Sequence, residues 1–328
     1  MDPLRVGIIG AGGHAQSHFA MVASEPEMDL VAVAELDPDR LAKAQQQHSP
    51  QSGFSDYREM LDTCNLDVVY VETMPGHGTA IVLECLERGL HTSVEKPVGM
   101  SSQEAQKMLA ASRKSVGKAI VSVNRRYMPE ILAVKNLILE RGGAVHVAAT
   151  YNKPLTRLGT AEMANITPLP LVCDAIHHVD LIRWLAGPTL ETAADPVTVY
   201  ADSYQGDREG SYRHNATVTF HTGCRGVMMS HYGVGMRIQR AECHAEDFSA
   251  YLDLTGREKI CELYENGQPY TQPLDLDAVG GPDFNETRHF VTCIREDRTP
   301  WSNLEDLVKT MKFCEAIVEG HRGAIYST

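Results

Sequence analysis

The sequence lacks the features that mark exported, membrane-bound and nucleic-acid-binding chains. Its eight cysteines (Cys64, Cys85, Cys173, Cys224, Cys243, Cys261, Cys293 and Cys314) form no C-x-x-C pair. That scatter suits reduced, mostly buried thiols and argues against a disulfide framework or a structural zinc site, so no metal is expected. No apolar run approaches the roughly 20 residues of a membrane span, and no membrane partner is expected. The opening Met1-Asp2-Pro3-Leu4-Arg5 enters a strand directly, without the basic region, apolar stretch and cleavage site of a signal peptide, so a cytoplasmic location is expected. Basic residues are in deficit, 30 Lys and Arg against 43 Asp and Glu, for a net charge of −13. Such a surface repels a phosphate backbone and excludes nucleic acid as the expected partner. Internal repeats and low-complexity tracts are also missing.

What is present is an ordinary globular composition over 328 residues, 43% hydrophobic and 22% charged, long enough for two domains. Up to about residue 124, short apolar runs alternate with amphipathic stretches. Leu4–Ile9, Leu30–Ala34, Asp67–Val71, His91–Val94 and Ala119–Val123 read as strands. His14–Ser24, Pro38–His48, Thr79–Arg88 and Ser101–Ser115 read as helices. This alternation predicts an α/β fold with a doubly wound parallel sheet over residues 1–124. After a helix over Tyr127–Arg141 the pattern turns β-rich: Ala144–Tyr151, Val197–Ala201, Ala216–His221, Cys224–Tyr232, Ala241–Ala245 and Phe248–Thr255. An apolar helix over Cys173–Leu185 interrupts it, and an amphipathic helix over 303–319 closes the chain. Residues 125–328 are therefore expected to form a second α/β domain on a large, mostly antiparallel sheet.

Two short motifs carry the chemistry. Gly10-Ala11-Gly12-Gly13-His14-Ala15 follows the first strand as G-x-G-x-x-A. Gly10 permits the tight turn, Gly12 lets the backbone approach a pyrophosphate, and Ala15 keeps the helix close to the strand. With strand before and helix after, the turn reads as a dinucleotide site with Gly13 and His14 at its rim. Glu35 follows Ala15 by 20 residues at the end of the second strand, the place of the carboxylate that binds the adenosine ribose. It repels a 2′-phosphate and Leu36 offers no cation, so NAD is expected over NADP. Arg40 is a nearby cation, and Asp37 is a rival ribose ligand that also reads as a helix start. The second motif, Glu95-Lys96-Pro97, ends the fourth expected strand and places a lysine where ligands gather in such sheets.

With Asn124-Arg125-Arg126-Tyr127-Met128-Pro129 and the helix Asp174-Ala175-Ile176-His177-His178-Val179-Asp180 running on to Trp184-Leu185, the ordered set resembles the Gfo/Idh/MocA oxidoreductases over nearly the whole chain. The resemblance implies a Rossmann domain and an α/β domain whose open sheet carries substrate on one face and a subunit contact on the other. It also implies a cis bond before Pro97. Two departures stand out. Thr73-Met74-Pro75-Gly76-His77 shifts a histidine that members often place directly after a Thr-Pro pair. A four-residue spacing from Asp174 selects His178, whereas H-x-x-D-x-x-x-W selects His177, and both spacings suit one helical face. His177 is taken as the catalytic histidine, with His178 as runner-up.

The resulting expectation is an NAD-dependent dehydrogenase of a sugar, cyclitol or related polyol. Lys96 steadies developing negative charge and relays a proton through a lowered pKa. His177 is the base, with an ordinary pKa near neutrality, and Asp174 orients it or binds a substrate hydroxyl. Thr73, Glu95 and Asn124 join Lys96 as candidate cofactor contacts. Asn124, Arg126 and Tyr151 are candidate substrate contacts beside Lys96, Asp174 and His177. Lys153 and Arg157 follow the same strand as Tyr151. Two rivals remain: redox-assisted glycoside elimination with retained NAD, and a non-catalytic NAD-binding sensor. A homodimer or homotetramer through the open sheet face is expected.

Overall fold

In a computed structural model of the chain, the described residues are 2–155, 166, 169–256 and 259–325. They fall into two compact units. The first comprises Met1–Ser122 with Asn285–Val308, and the second Val123–Phe284 with Lys309–Thr328.

The first unit carries β1 (Leu4–Ile9), α1 (Ala15–Ser24), β2 (Met28–Ala34), α2 (Pro38–His48), β3 (Ser52–Phe54), α3 (Tyr57–Thr63), β4 (Val68–Val71), α4 (Thr79–Glu87), β5 (His91–Glu95), α5 (Ser102–Ser112) and β6 (Ala119–Ser122). Its six strands are all parallel, in the order β3-β2-β1-β4-β5-β6. The order reverses between β1 and β4, so the loops after these strands flank the switch point where open α/β sheets bind ligands. Val6, Ile8, Val68, Val69 and Val121 are fully sealed from solvent, as a sheet covered on both faces requires. The short pair β3 and α3 was not expected, because Ser52-Gly53-Phe54 carries too little apolar signal to read as a strand.

The second unit follows with α6 (Pro129–Glu140), β7 (His146–Lys153), α7 (Ile176–Leu185), β8 (Pro196–Gln205), β9 (Tyr212–Phe220), β10 (Arg225–Tyr232), β11 (Ile238–Ala245), β12 (Phe248–Asp253), β13 (Ile260–Glu265) and β14 (Gln268–Pro269). After α8 (Glu286–Arg295) and α9 (Leu304–Val318), β15 (Arg322–Ala324) completes a nine-stranded sheet ordered β14-β13-β12-β11-β7-β10-β9-β8-β15. Its pairs are antiparallel except β7 with β10. One face, including Val147, Ala149, Ala241, Cys243 and Met228, is buried. The other exposes Tyr200, Met229, Tyr251 and Tyr264.

Residues 285–308 differ from the single division at residue 124 expected above. Asn285 caps α8 by accepting from the Thr287 and Arg288 amides. The first turn of α8 then binds the first unit's core: the Tyr70 hydroxyl lies 3.1 Å from Thr287 Oγ1, and Ser122 Oγ donates to Glu286 at 2.9 Å. Nothing in the local composition marks that return. No helix among the described residues is long and apolar enough to cross a membrane.

Candidate active-site residues

The glycine turn leaves β1 with Gly10 at φ +98°, and an added Cβ would lie 2.3 Å from the carbonyl oxygen of Glu72, so only glycine fits. Gly12 and Gly13 meet nothing within 4 Å on their Cβ side, which leaves open space against the backbone. His14 precedes α1 without a side-chain cap, so the first amides of that helix remain for an anion. This cradle fits a dinucleotide pyrophosphate.

Glu35 is buried and held from three sides. Its Oε2 accepts from the Ala11 amide at 2.8 Å, and Oε1 accepts from the Asp37 amide at 2.9 Å and Arg40 Nη2 at 2.8 Å. Burial favours the neutral acid, but the Arg40 hydrogen bond and the two amides outweigh it and hold the carboxyl below its usual range. Asp37 acts as the helix cap, accepting from the Asp39 and Arg40 amides.

Lys96 directly follows β5 with only 8% of its surface exposed, and its bond to Pro97 is cis. Its Nζ lies 3.6 Å from Glu95 Oε1. Thr73, Glu95 and Lys96 line one small pocket with Met74, Pro75 and Pro97. Beneath them lies a cluster that sequence reading missed. His18 Nε2 is 3.3 Å from Glu72 Oε2 and 3.6 Å from Glu95 Oε2, and its Nδ1 is 3.7 Å from Glu286 Oε1. Burial works against a charged imidazole, yet the surrounding carboxylates push the His18 pKa up to about 10. Glu72 moves the other way from a normal acid, up to about 8, through burial and the charges of Glu95 and Glu286. Glu95 resists its burial through the His18 hydrogen bond and the Lys96 charge, and stays below the usual range. The His18, Glu72 and Glu95 ligand atoms lie within 4.8 Å of one another. Protons on His18 and Glu72 balance the group internally. His18 and Glu72 occupy an ordinary helix position and a strand end, so only the tertiary fold brings them together.

In the second unit, Asp174 sits in a π-helical turn, Leu171–Ala175, directly before α7. Such single wide turns are rare and often mark functional positions. The Asp174 carboxylate accepts from the Tyr151 hydroxyl at 2.7 Å, Lys153 Nζ at 2.7 Å and the Tyr232 hydroxyl at 3.1 Å. Burial, then the Asp174 charge, pushes both phenols well above their ordinary pKa and keeps them as donors. Tyr232 was missed because it ends β10, 58 residues from Asp174 in sequence. Register explains its arrival: it pairs with Lys153 across the parallel β7–β10 ladder.

The two adjacent histidines differ in environment. His177 is half-buried. His178 is fully buried, its ring edge-on to Tyr151 at 4.9 Å, and burial followed by the Arg125 charge drives its pKa well below normal. Asn124 is exposed at the start of a 3-10 turn over Asn124–Tyr127. Arg126 corrects an expectation: it is 0% exposed and binds Asp180 through Nε at 2.6 Å and through Nη2, so its guanidinium is spent on a core ion pair. Its neighbour Arg125 carries no such pair among the described residues. Arg157 lies outside the described residues.

The chain is similar to known proteins. Inositol 2-dehydrogenase 2 of Paenarthrobacter aurescens (strain TC1) is 28% identical over 193 residues, 56% of each chain. The trans-1,2-dihydrobenzene-1,2-diol dehydrogenase of Macaca fuscata fuscata is 26% identical over 309 residues, 89% of each chain. A levoglucosan dehydrogenase solved with NADH and L-sorbose shares the fold at a TM-score of 0.81, with 18% identity and 100% of each chain covered. Residues 4–124 match the Gfo/Idh/MocA profile, described as an oxidoreductase family with an NAD-binding Rossmann fold. Residues 4–124 are therefore an NAD-binding Rossmann domain of the Gfo/Idh/MocA type, and the chain as a whole is similar to oxidoreductases of that family.

Proposed function

We propose that the protein oxidises a secondary hydroxyl of a sugar, cyclitol or related polyol, with NAD preferred over NADP. The observation that carries this reading is Lys96, a buried ammonium at the carboxyl end of β5. The glycine turn leaves the same ends of the same parallel sheet. NAD supplies the two-electron acceptor when bound. The Lys96 charge stabilises the oxygen as it loses its proton, and Glu95 beneath holds the ammonium in place. His177 takes the hydroxyl proton. Asp174, fixed by Tyr151, Lys153 and Tyr232, orients that histidine or binds a neighbouring hydroxyl. The relatives' names, an inositol dehydrogenase and a diol dehydrogenase, support a substrate with adjacent hydroxyls.

Glu35 supports the nucleotide preference, since it holds Arg40 and presents a fixed carboxylate. The exposed sheet face with Tyr200, Met229, Tyr251 and Tyr264 supports association into a homodimer or homotetramer, which light scattering after gel filtration measures. The test of function is a panel of sugars, inositols and diols scored by absorbance of NADH. Oxidation of a panel member is expected, with Lys96→Ala slowing it about 10³-fold. Full activity in Lys96→Ala would remove the mechanism.

A further inference from the structure

Among the described residues, the second unit holds a buried arginine that no carboxylate pairs with directly. Arg125 is 8% exposed, and its Nη2 donates to Gln239 Oε1 at 2.8 Å. Its Nε has no acceptor, and among the described residues no carboxylate pairs with it. Two other buried arginines show the usual arrangement: Arg126 binds Asp180, and Arg183 lies 3.6 Å from Asp195. Gln239 is 1% exposed and pairs with Tyr151 across the β7–β11 ladder, and its amide Nε2 also lacks an acceptor. His178, packed on Tyr151, leaves both ring nitrogens unbonded. Arg237, exposed two residues before Gln239, has no ion pair among the described residues, and its charge acts on Arg125, Tyr151, His178 and Lys259 alike. The nearby acids are committed elsewhere. Asp174 is held by Tyr151, Lys153 and Tyr232, and Asp253 binds Arg240 at 2.9 Å. A buried guanidinium cannot release its proton, so its desolvation is relieved only by acceptors, and most strongly by an anion.

We propose that Arg125, Gln239 and Arg237 form an anion subsite in the second unit that takes a carboxylate of the substrate. The substrate is then a sugar acid, and not a neutral sugar or cyclitol. A planar guanidinium with free N–H groups matches a carboxylate edge-on, and the Gln239 amide and His178 add neutral donors beside it. This assignment rests on the dehydrogenase reading for the hydroxyl chemistry but not for the anion.

The test uses the NAD-loaded protein with D-glucuronate, D-galacturonate and D-gluconate against D-glucose, D-galactose, myo-inositol and glucose 6-phosphate. Binding is measured by calorimetry and turnover by NADH absorbance. At least one acid is expected to bind about tenfold or more tighter than its neutral parent. Arg237→Glu, an exposed change that leaves the core intact, is expected to cut that ratio severalfold. Arg125→Gln should abolish it, and Arg125→Lys should retain part of it. Equal binding of acid and parent, or a ratio indifferent to Arg237→Glu, overturns the subsite. Tighter binding of the phosphate than of every carboxylate overturns the sugar-acid assignment. Acid-selective binding without NADH formation removes the dehydrogenase reading and keeps the subsite. Oxidation of neutral sugars without acid preference does the reverse.

Discussion

The two units bury opposite surpluses of charge. The first gathers Glu72, Glu95 and Glu286 around His18 and Lys96. The second buries Arg125, Arg126, Arg183 and Lys135. An acid surplus has an internal remedy, because a carboxylate can take a proton, and Glu72 does so up to about pH 8. An arginine surplus has none. Each arginine must find an acceptor in the fold or receive one from outside. Arg126 has Asp180, Arg183 has Asp195 and the Ala194 carbonyl, and Lys135 donates to the Trp184 carbonyl at 2.6 Å above that residue's ring. Arg125 has one neutral amide. The difference separates cations that hold the fold from one that the fold leaves for a ligand.

Stability measurements can break that separation most sharply. Arg126→Ala strands the buried Asp180 carboxylate, whose only further donor among the described residues is Thr310 Oγ1 at 2.9 Å. It should cost about 3–5 kcal/mol in urea unfolding. Arg125→Leu strands no charge and should be close to neutral or stabilising. Equal losses at both positions would show that Arg125 is structural too. The next largest effect concerns Asp174. Asp174→Asn keeps the shape but leaves the Lys153 ammonium unanswered and turns an amide donor toward Tyr151 or Tyr232. It should lower kcat about 10²-fold. NAD affinity, read by fluorescence titration, should stay within about twofold, since that cradle belongs to the first unit.

The same contrast explains what could be read in advance. The first unit's site depends on backbone, and backbone demands show in sequence: Gly10 has no substitute at its φ, and Glu35 and Lys96 follow their strands at fixed spacing. The second unit's site depends on side chains from separate strands. Asp174 and His177 were legible as a helical pair, and Tyr151 as a strand end. Tyr232 and Gln239 reach the site only through the register of β10 and β11 on β7. Nothing local distinguishes Arg125 from Arg126. The turn that buries Arg126 against α7 and leaves Arg125 over Gln239 is a product of packing. The return of α8 with Glu286 was equally silent.

The first unit's protons predict a pH dependence with a definite sign. Folding raises Glu72 from 4.5 to about 8 and His18 from 6.5 to about 10. In both cases the folded state keeps a proton that the unfolded chain has released, so stability falls as pH rises. For His18 the contribution is complete below about pH 6.5 and is lost as pH rises through about 10. For Glu72 the decline occupies the window from about 4.5 to about 8. Glu72→Gln mimics the protonated acid. Its melting temperature should be flatter than that of the parent between pH 5 and 8, and its His18 decline should be smaller and end at lower pH, because the Glu72 charge that helps to raise His18 is gone. Parallel curves would mean that Glu72 is ionised in the fold.

The smallest expected effect tests Glu35, a carboxylate that the first unit keeps charged beside its glycine turn. Glu35 Oε2 is committed to the Ala11 amide, and Oε1 to the Asp37 amide and Arg40. Its position is therefore set before any nucleotide arrives, and a ribose 2′-phosphate would meet fixed negative charge. Arg40 alone adds little, because its side chain is 53% exposed and water screens the pair. Arg40→Ala should change stability by less than about 1 kcal/mol. Glu35→Gln keeps one acceptor for Ala11, removes the repulsion and releases Arg40 toward a phosphate. The ratio of NAD to NADP affinity should fall about tenfold, equivalent to about 1.4 kcal/mol. An unchanged ratio would move the discrimination to Asp37, the only other carboxylate that contacts Arg40 among the described residues.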